Sequence, residues 1–402
     1  MNILFLTLIE FDSLSERNIY TDLLREFVKA GHTVYAISPV EKRKRQKTRI
    51  VEEKSAVILR LKIGNTQKTN VVEKGISTVM IAPTFRRAIR KYFPDVKFDL
   101  VLYSTPPITL LSAVEYVKAR DGAKTYLLLK DIFPQNAVDM GMLSKTGAKG
   151  FLYRHFRRQE KRFYRISDRI GCMSPANVEY VTRHNPDIAP EIVEVCPNSV
   201  EVIDWGADSG MRKAIREKYG IPLDKKVFVY GGNLGKAQGV PFIIECMKAV
   251  RRLDDVFFLI VGSGTEYGLL KDYADRERQE NFKLMRLLPK EDYDTMIAAC
   301  DVGLIFLDYR FTIPNFPSRL LSYMQAKIPV LAATDPNTDV GQIIEGGGFG
   351  WRCGSDAPAA FAALVERIAR ENFEEKGRAA FDYLRKHYDV RECFQTIMNG
   401  LF

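Results

Sequence analysis

The chain has 402 residues, of which 46% are hydrophobic and 27% charged, as in ordinary soluble globular proteins. This length is enough for two domains that each bury a core. No apolar run is long enough to span a bilayer, and the chain opens directly on a strand-like segment, which argues against a signal peptide. The six cysteines are scattered without a Cys-x-x-Cys pair, which favours a reducing cytoplasm and argues against a zinc site.

The net charge of +10 is unevenly distributed along the chain. Residues 1–205 hold 33 Lys and Arg against 23 Asp and Glu, whereas the remaining residues hold 27 of each. The whole excess therefore lies in the N-terminal half and predicts an anionic partner for that half. Nucleic acid would be attracted by the same charges, but no nucleic-acid-binding motif accompanies them.

The first half of the chain alternates strand-like and helix-like segments. A strand is predicted at residues 2–7, a helix at 19–30 and a second strand at 33–38, with Gly31 ending the helix. This order is typical of a doubly wound parallel sheet. The basic segment 41–49 indicates a solvated or membrane-facing loop. Further strands are predicted at 98–103, 125–130, 169–174 and 191–196.

The alternation stops at residues 204–210, the predicted linker, and then resumes. Two Rossmann-like α/β domains, 1–205 and 206–385, are therefore expected to face each other across a ligand cleft. A C-terminal helix within 386–402 is expected to pack back toward the N-terminal domain. The second array has predicted strands at 226–230, 257–261, 282–287, 302–307 and 329–333, and predicted helices at 240–252, 269–278, 291–299 and 358–369.

A glycine-rich stretch, residues 229–239, lies between the strand at 226–230 and the helix that begins at Val240. Four glycines allow a close backbone approach to a ligand, a helix N-terminus attracts anions, and Lys236 adds a mobile positive charge. The stretch predicts a phosphate-binding loop. Its spacing matches neither Gly-x-Gly-x-x-Gly nor the Walker lysine motif, so an ordinary strand-to-helix turn is the alternative.

Several motifs together resemble those of one enzyme family. Residues 258–266, Phe-Leu-Ile-Val-Gly-Ser-Gly-Thr-Glu, resemble the Val-Gly-x-Gly-x-Glu turn of the family 4 glycosyltransferases, which have the GT-B fold. Residues 287–330, which include Pro-Ser-Arg at 317–319, are similar to its nucleotide-sugar half. Residues 31–34 and 196–200 match landmarks in the other half. The resemblance covers nearly the whole chain, and bacterial enzymes that build capsule, O-antigen and other lipid-linked glycans are the most similar.

The resemblance implies retaining transfer of a hexosyl or N-acetylhexosaminyl group from a nucleotide-diphosphate sugar, expected to be a UDP-sugar. The implied acceptor is a lipid-linked glycan, and no cofactor or metal is expected. The protein is expected in the cytoplasm, on the inner face of the cell membrane. The implied donor-binding residues are Gly232, Asn233, Gly235, Gly262, Gly264, Leu287, Asn315, Phe316, Ser318 and Ser322.

The chain departs from the family pattern at the donor site. The two glutamates that the family carries eight positions apart correspond to Pro314 and Ser322. The family's arginine and lysine of the glycine loop correspond to Asn233 and Gln238. Lys236 and Arg319 remain as the candidate cations for the leaving diphosphate.

Arg319 stands at the start of a predicted apolar helix, directly after Ser318. Capping of the helix by Ser318 would present backbone N–H groups and a guanidinium together, which suits a pyrophosphate. A surface arginine at a helix start is the alternative.

Asp131 follows the predicted strand at 125–130. A carboxylate at this edge of the sheet could orient or deprotonate the acceptor hydroxyl. Similar enzymes often have a histidine in this loop. An aspartate that caps a helix or stabilises the loop is the alternative.

Two further patterns are weighed as metal sites. Asp292 and Asp294 have the Asp-x-Asp form that binds a metal–nucleotide complex in other transferases, but they open a predicted helix, where acidic residues favour the dipole. The four histidines have no paired spacing, which argues against a metal site and a catalytic triad.

Residues 149–165 mix basic and aromatic side chains at helical spacing. With Arg86, Arg87, Arg90 and Lys91 they are expected to bind anionic lipid headgroups, unless the helix is merely solvated. Two other functions remain open: a GT-B nucleotide-sugar epimerase, and an inactive partner that binds a sugar nucleotide or a membrane.

Overall fold

The computed structural model describes residues 1–66, 69–206 and 208–402, which divide into two compact units. Unit 1 comprises Met1–Glu201 and Val390–Phe402, and unit 2 comprises Val202–Asp389. The predicted linker at 204–210 includes residue 207, which lies outside the described residues.

Unit 1 contains an eight-stranded sheet in the order β3-β4-β2-β1-β5-β6-β7-β8. Neighbouring strands pair in parallel except β3 and β4, which are antiparallel. The strands are β1 (Asn2–Leu6), β2 (Thr33–Glu41), β3 (Arg49–Glu53), β4 (Ala56–Ile63), β5 (Leu100–Thr105), β6 (Lys124–Leu129), β7 (Arg169–Cys172) and β8 (Val193–Val195). The helices of its first segment are α1 (Ile19–Lys29), α2 (Val71–Tyr92), α3 (Leu111–Asp121), α4 (Gln135–Asp139), α5 (Gly147–Ile166) and α6 (Pro175–His184).

The start of unit 1 shows why these residues form these elements. The Asn18 side chain accepts the N–H groups of Tyr20 and Thr21, at 2.9 and 3.0 Å, and so caps α1. The apolar face of α1 then places Phe27 in the same buried cluster as Phe5 of β1. Burial of one helix face against a sheet provides most of the stability of such an element.

Unit 2 contains a six-stranded parallel sheet in the order β11-β10-β9-β12-β13-β14. Its strands are β9 (Lys226–Asn233), β10 (Val256–Ser263), β11 (Phe282–Arg286), β12 (Val302–Phe306), β13 (Val330–Thr334) and β14 (Gly350–Gly354). Its helices are α7 (Ser209–Tyr219), α8 (Val240–Ala249), α9 (Tyr267–Glu277), α10 (Lys290–Ile297), α11 (Arg319–Gln325), α12 (Val340–Gly346), α13 (Pro358–Ile368) and α14 (Glu374–His387). Both units are therefore α/β and Rossmann-like, as predicted.

The last helix, α15 (Val390–Leu401), belongs to unit 1. Phe394 of this helix packs edge-on against Phe27 of α1, with ring centres 4.9 Å apart. Cys393 places its sulfur 3.1 Å from that of Cys196, just beyond β8. Segment 386–402 thus contains the end of α14, which lies in unit 2, and a separate helix that packs in unit 1.

The sequence patterns did not indicate the β3–β4 pair or α2. Arg60 interrupts the apolar run of β4, yet its side chain is fully buried and pairs with Glu10 at 2.6 Å and Asp12 at 2.7 Å. In α2, the large apolar side chains of Ile76 and Val79 are exposed, which obscures the amphipathic pattern. Within the described residues, no helix is both long and apolar enough to cross a membrane.

Candidate functional site

The strand order of unit 2 identifies where a ligand is expected to bind. From β9 the chain adds β10 and β11 on one side, and then β12, β13 and β14 on the other side. The direction therefore reverses between β9 and β12. In open parallel sheets, ligands bind beyond the carboxyl ends of the strands at such a reversal. The glycine loop, residues 231–239, begins there at the end of β9.

The glycine loop packs tightly against the end of β10. A Cβ atom at Gly262 would lie 2.3 Å from the Gly232 carbonyl oxygen, and one at Gly264 would lie 2.3 Å from the Leu234 carbonyl oxygen. Real Cβ atoms do not approach that closely, so both positions require glycine. Four predicted donor-binding residues, Gly232, Asn233, Gly262 and Gly264, are thereby brought to neighbouring strand ends.

The sequence predicted that the loop would lead directly into α8, but the structure differs. A short 3₁₀ turn, Lys236–Gln238, intervenes. The Gln238 Oε1 atom accepts the Asn233 Nδ2–H at 3.0 Å and the Gly235 N–H at 3.1 Å, so the buried Gln238 fixes the loop from inside. Lys236 is exposed on the turn, and no carboxylate in the described part of the chain is paired with it.

Arg319 contacts the glycine loop. Its guanidinium carbon lies 4.1 Å from the centre of the Tyr230 ring, and a Cβ atom at Gly232 would lie 3.5 Å from its Nη2 atom. The Nη1 atom is buried and has no hydrogen-bond partner. A buried, unpaired N–H group on a cation is costly, and an anionic oxygen would satisfy it.

The predicted cap of α11 is wrong. Ser318 precedes the helix with helical backbone angles, φ −61° and ψ −17°, and its side chain makes no capping hydrogen bond. A capping residue needs extended backbone angles to turn its oxygen back toward the helix. In addition, α11 has only seven residues. Of the groups on α11, the Arg319 guanidinium, and not the helix terminus, is therefore the one suited to bind an anion.

Two tyrosines beneath the loop were not identified from the sequence. The Tyr323 hydroxyl lies 3.2 Å from the Val229 carbonyl oxygen and 3.0 Å from that of Leu304, and burial raises the pKa of Tyr323 to about 12. The Tyr293 hydroxyl is buried without a hydrogen-bond partner, and a Cβ atom at Gly231 would lie 1.9 Å from it. The position of Tyr293 explains why residue 231 is glycine.

Tyr293 is the middle residue of the Asp-x-Asp sequence. Asp292 lies 3.5 Å from Lys218, and Asp294 pairs with Lys290. Both carboxylates therefore have lysine partners. No group of three or more His, Cys, Asp or Glu side chains in the described part of the chain is placed to hold a metal ion. The absence of a metal requirement stays a prediction.

Two acidic residues beside the loop were also missed. Asp308, two residues beyond β12, accepts two hydrogen bonds from the Arg310 guanidinium at 2.8 and 2.7 Å. Glu266 precedes α9, its N–H donates to the Leu234 carbonyl oxygen at 2.9 Å, and its buried Oε2 atom has no partner. Glu266 is the last residue of the quoted Gly-Ser-Gly-Thr-Glu motif, which was the available signal. Its unpaired oxygen can accept a ligand hydroxyl.

The other predicted donor-binding residues lie on or near the segment between β12 and α11. The Asn315 N–H donates to the Thr338 Oγ1 atom at 2.9 Å, and the Phe316 ring lies 5.9 Å from the Tyr388 ring. Ser322 is half-buried on α11. Leu287, which follows β11, is 56% exposed.

Asp131 lies in unit 1, two residues beyond β6, and is half-buried. Burial raises the pKa of Asp131 to about 6, although the Asn136 amide donates to its Oδ2 atom at 2.6 Å and opposes the rise. A carboxyl group with this pKa is charged at neutral pH, and the pKa is close to the value that favours proton transfer. The bond to Asn136, in α4, also fits the alternative of a loop-stabilising aspartate.

The basic and aromatic helix is α5, and its charges are only partly available. Among the described residues, no carboxylate is paired with Lys149, Arg154 or Arg158. Beside them, Phe151 is 70% exposed and Leu152 43% exposed. The other basic side chains are paired: Arg157 with Glu160, Lys161 and Arg165 with Asp187, and Arg162 with Glu115.

Comparison with known proteins agrees with the resemblance. The family described as Glycosyltransferase Family 4 matches residues 18–202, and the family described as Glycosyl transferases group 1 matches residues 211–386. The probable glycosyltransferase WbjE of Pseudomonas aeruginosa is 26% identical over 332 residues, which are 81% of this chain and 80% of WbjE. The putative colanic acid biosynthesis glycosyl transferase WcaI of Escherichia coli K12 is 24% identical over a segment that makes up 78% of this chain and 75% of WcaI.

A solved structure has the same fold. Anabaena HepE in complex with UDP-glucose matches with a TM-score of 0.71 and 14% identity, over 99% of this chain and 98% of HepE. The two family matches lie side by side and between them span most of the chain, one in each unit. This chain therefore belongs to glycosyltransferase family 4 and has the GT-B fold.

Proposed function

We propose that this chain is a retaining glycosyltransferase that moves a sugar from a UDP-sugar to a lipid-linked glycan in surface polysaccharide synthesis. The observation that carries the proposal is the contact of Arg319 with Gly232, because it places a buried, unpaired N–H of a cation at the glycine loop. A nucleoside diphosphate supplies the anionic oxygen that this N–H lacks. HepE, which shares the fold, binds UDP-glucose, and this supports UDP as the nucleotide.

In the proposed reaction, the bond between the sugar and the diphosphate breaks, and negative charge grows on the departing diphosphate. Arg319 stabilises that charge from a fixed position, and the exposed Lys236 adds a mobile cation. The transferred group is a hexosyl or N-acetylhexosaminyl group. Metal-independent transfer is part of the proposal, and it rests on the family resemblance.

On the acceptor side, Asp131 receives or orients the proton of the attacking hydroxyl. Its pKa of about 6 leaves the carboxylate charged at pH 7 while keeping it basic enough to accept a proton. A role in surface polysaccharide synthesis is proposed because WcaI is named for colanic acid biosynthesis. The acceptor is proposed to be lipid-linked because residues 1–205 carry the positive excess of the chain, which suits an anionic membrane surface. Lys149, Arg154, Phe151 and Leu152 of α5 give that half basic and apolar groups for the inner membrane face.

A binding screen followed by a transfer assay tests this proposal. Thermal shift is measured with nucleoside mono- and diphosphates of all common bases, and transfer is then assayed with the matching nucleotide sugars in EDTA. We expect the largest stabilisation by UDP or a UDP-sugar and transfer that survives chelation. Stronger stabilisation by another nucleotide would mean that the donor is not a UDP-sugar. Rescue of activity by Mg²⁺ or Mn²⁺ would contradict metal independence. Binding without turnover on any acceptor would indicate the inactive partner instead.

A further inference from the structure

The segment that joins β12 to α11, residues 307–318, is called here the donor segment, because it carries Asn315, Phe316 and Ser318. It begins against the glycine loop, where the Asp308 N–H donates to the Ala237 carbonyl oxygen at 3.0 Å. It ends at Arg319, whose guanidinium lies against the same loop. The path of this segment therefore determines where the guanidinium sits.

A four-residue turn after β13, Asp335–Pro336–Asn337–Thr338, holds the middle of the donor segment. The Asn337 Nδ2–H donates to the Phe311 carbonyl oxygen at 2.6 Å. The Asn315 N–H donates to the Thr338 Oγ1 atom at 2.9 Å. The two hydrogen bonds attach the segment to the turn on both sides of residues 312–314.

Asp335 organises the turn, and its side chain is only 2% exposed. Its Oδ1 atom accepts the N–H groups of Asn337 and Thr338, both at 2.9 Å. Its Oδ2 atom accepts the Thr338 hydroxyl proton, also at 2.9 Å. A hydroxyl has a single proton, so the remaining capacity of the Thr338 oxygen is to accept. The carboxylate thus directs the lone pairs of Thr338 toward the Asn315 N–H.

We infer that Asp335 and Thr338 are positioning residues for the nucleotide-sugar donor. They touch no ligand themselves and act through Asn315 on the donor segment that leads to Arg319. Without the hydroxyl of Thr338, the segment gains conformations that must be lost again when the diphosphate binds, so donor affinity falls. The inference rests on the proposed function, because it presumes that this segment binds a nucleoside diphosphate.

Thr338→Val tests the inference, because it removes the hydroxyl and keeps the side-chain shape. We expect the Kd of UDP, measured by calorimetry, and the KM of the donor sugar to rise about three- to tenfold, the usual worth of one hydrogen bond. The KM of the acceptor should not change. Thr338→Ser retains the oxygen and should stay within about twofold of the parent protein on the same scale. The matched control is Thr396→Val in α15, whose hydroxyl donates to the Glu392 carbonyl oxygen at 2.9 Å in unit 1.

A second variant covers the case in which Thr338→Val unfolds the protein. Asn337 is exposed, so Asn337→Ala removes the hydrogen bond to Phe311 without changing the core. Unchanged UDP binding in every variant that folds, with clear binding by the parent protein, would overturn the inference and leave the proposed function intact. Equal losses in Thr338→Val and Thr338→Ser would also overturn it. If the parent protein binds no nucleoside diphosphate, the proposed function itself is wrong and the inference falls with it.

Discussion

Arg319 lies over the face of Tyr230, with its guanidinium carbon 4.1 Å from the ring centre. The Tyr230 hydroxyl donates to the Asn233 carbonyl oxygen at 2.6 Å, so one side chain supports both the cation and the glycine loop. A cation–π contact fixes a guanidinium without neutralising it. The positive charge therefore remains available to an anion bound at the loop.

Lys236→Ala should weaken the binding of the nucleoside diphosphate and leave that of the free nucleoside nearly unchanged. Lys236 is exposed and has no described carboxylate partner, so its charge is free to meet the phosphates. Loss of one charge-assisted contact should cost about 1.5–3 kcal/mol in diphosphate binding. Calorimetric titration with both ligands measures this difference. Equal losses for the two ligands would mean that the lysine shapes the turn and does not hold the phosphates.

Gly231→Ala should destabilise unit 2 by about 1–3 kcal/mol, because the new methyl group overlaps the buried Tyr293 hydroxyl. The free energy of unfolding is measured by denaturant titration. Gly268→Ala in α9 is the control, since a Cβ atom there meets nothing within 4 Å and helix propensity favours alanine. If both variants have the parent's stability, the close packing of Tyr293 against the glycine loop is incorrect.

The strand–helix alternation, the glycine loop and the choice of Arg319 as a candidate anion-binding residue were accessible from the sequence, because apolar periodicity and glycine spacing are local signals. The role of Tyr293 was not accessible, since it depends on a contact with Gly231, which is distant in the sequence. The cap by Ser318 was predicted wrongly, because residue type alone does not reveal that its backbone is already helical. Arg60 concealed β4 for a similar reason: its acidic partners lie on a distant loop.

Asp131→Asn should lower kcat and leave nucleotide affinity nearly intact. The pKa of Asp131 is raised to about 6, so the parent enzyme should lose activity as the pH falls through that value and the carboxylate takes up a proton. Above it the carboxylate is charged and activity should level off. The measurement is the pH profile of kcat/KM, in which this acidic limb should disappear in the variant. A variant with the rate and pH profile of the parent would make Asp131 a loop residue.

Reversal of Lys149, Arg154 and Arg158 to Glu should release the protein from anionic vesicles, which it is expected to bind more weakly as salt rises. Arg157 and Lys161 are left unchanged in this test, because they pair with Glu160 and Asp187 and their reversal would disturb the helix packing. Sedimentation with phosphatidylserine vesicles is the measurement.

A control for this experiment makes the same change in net charge on unit 2. Lys213, Lys248 and Arg370 have exposed side chains there, and their reversal to Glu should leave sedimentation as in the parent. Equal release by both triple variants would indicate a general charge effect. Persistent sedimentation of the α5 variant would exclude α5 as the membrane contact.

The most direct test of the account is the transfer efficiency of Arg319→Ala and Arg319→Lys. Arg319 is expected to contribute one or more charge-assisted hydrogen bonds to the departing diphosphate, worth about 1.5–3 kcal/mol. Lysine cannot reproduce the two-pronged contact of a guanidinium, so Arg319→Lys should also be impaired. Exposed Arg370, changed to Ala, is the control. The account predicts that kcat/KM for the donor falls roughly ten- to hundredfold in Arg319→Ala and less in Arg319→Lys. Values within about twofold of the parent for both, in folded protein, would contradict it.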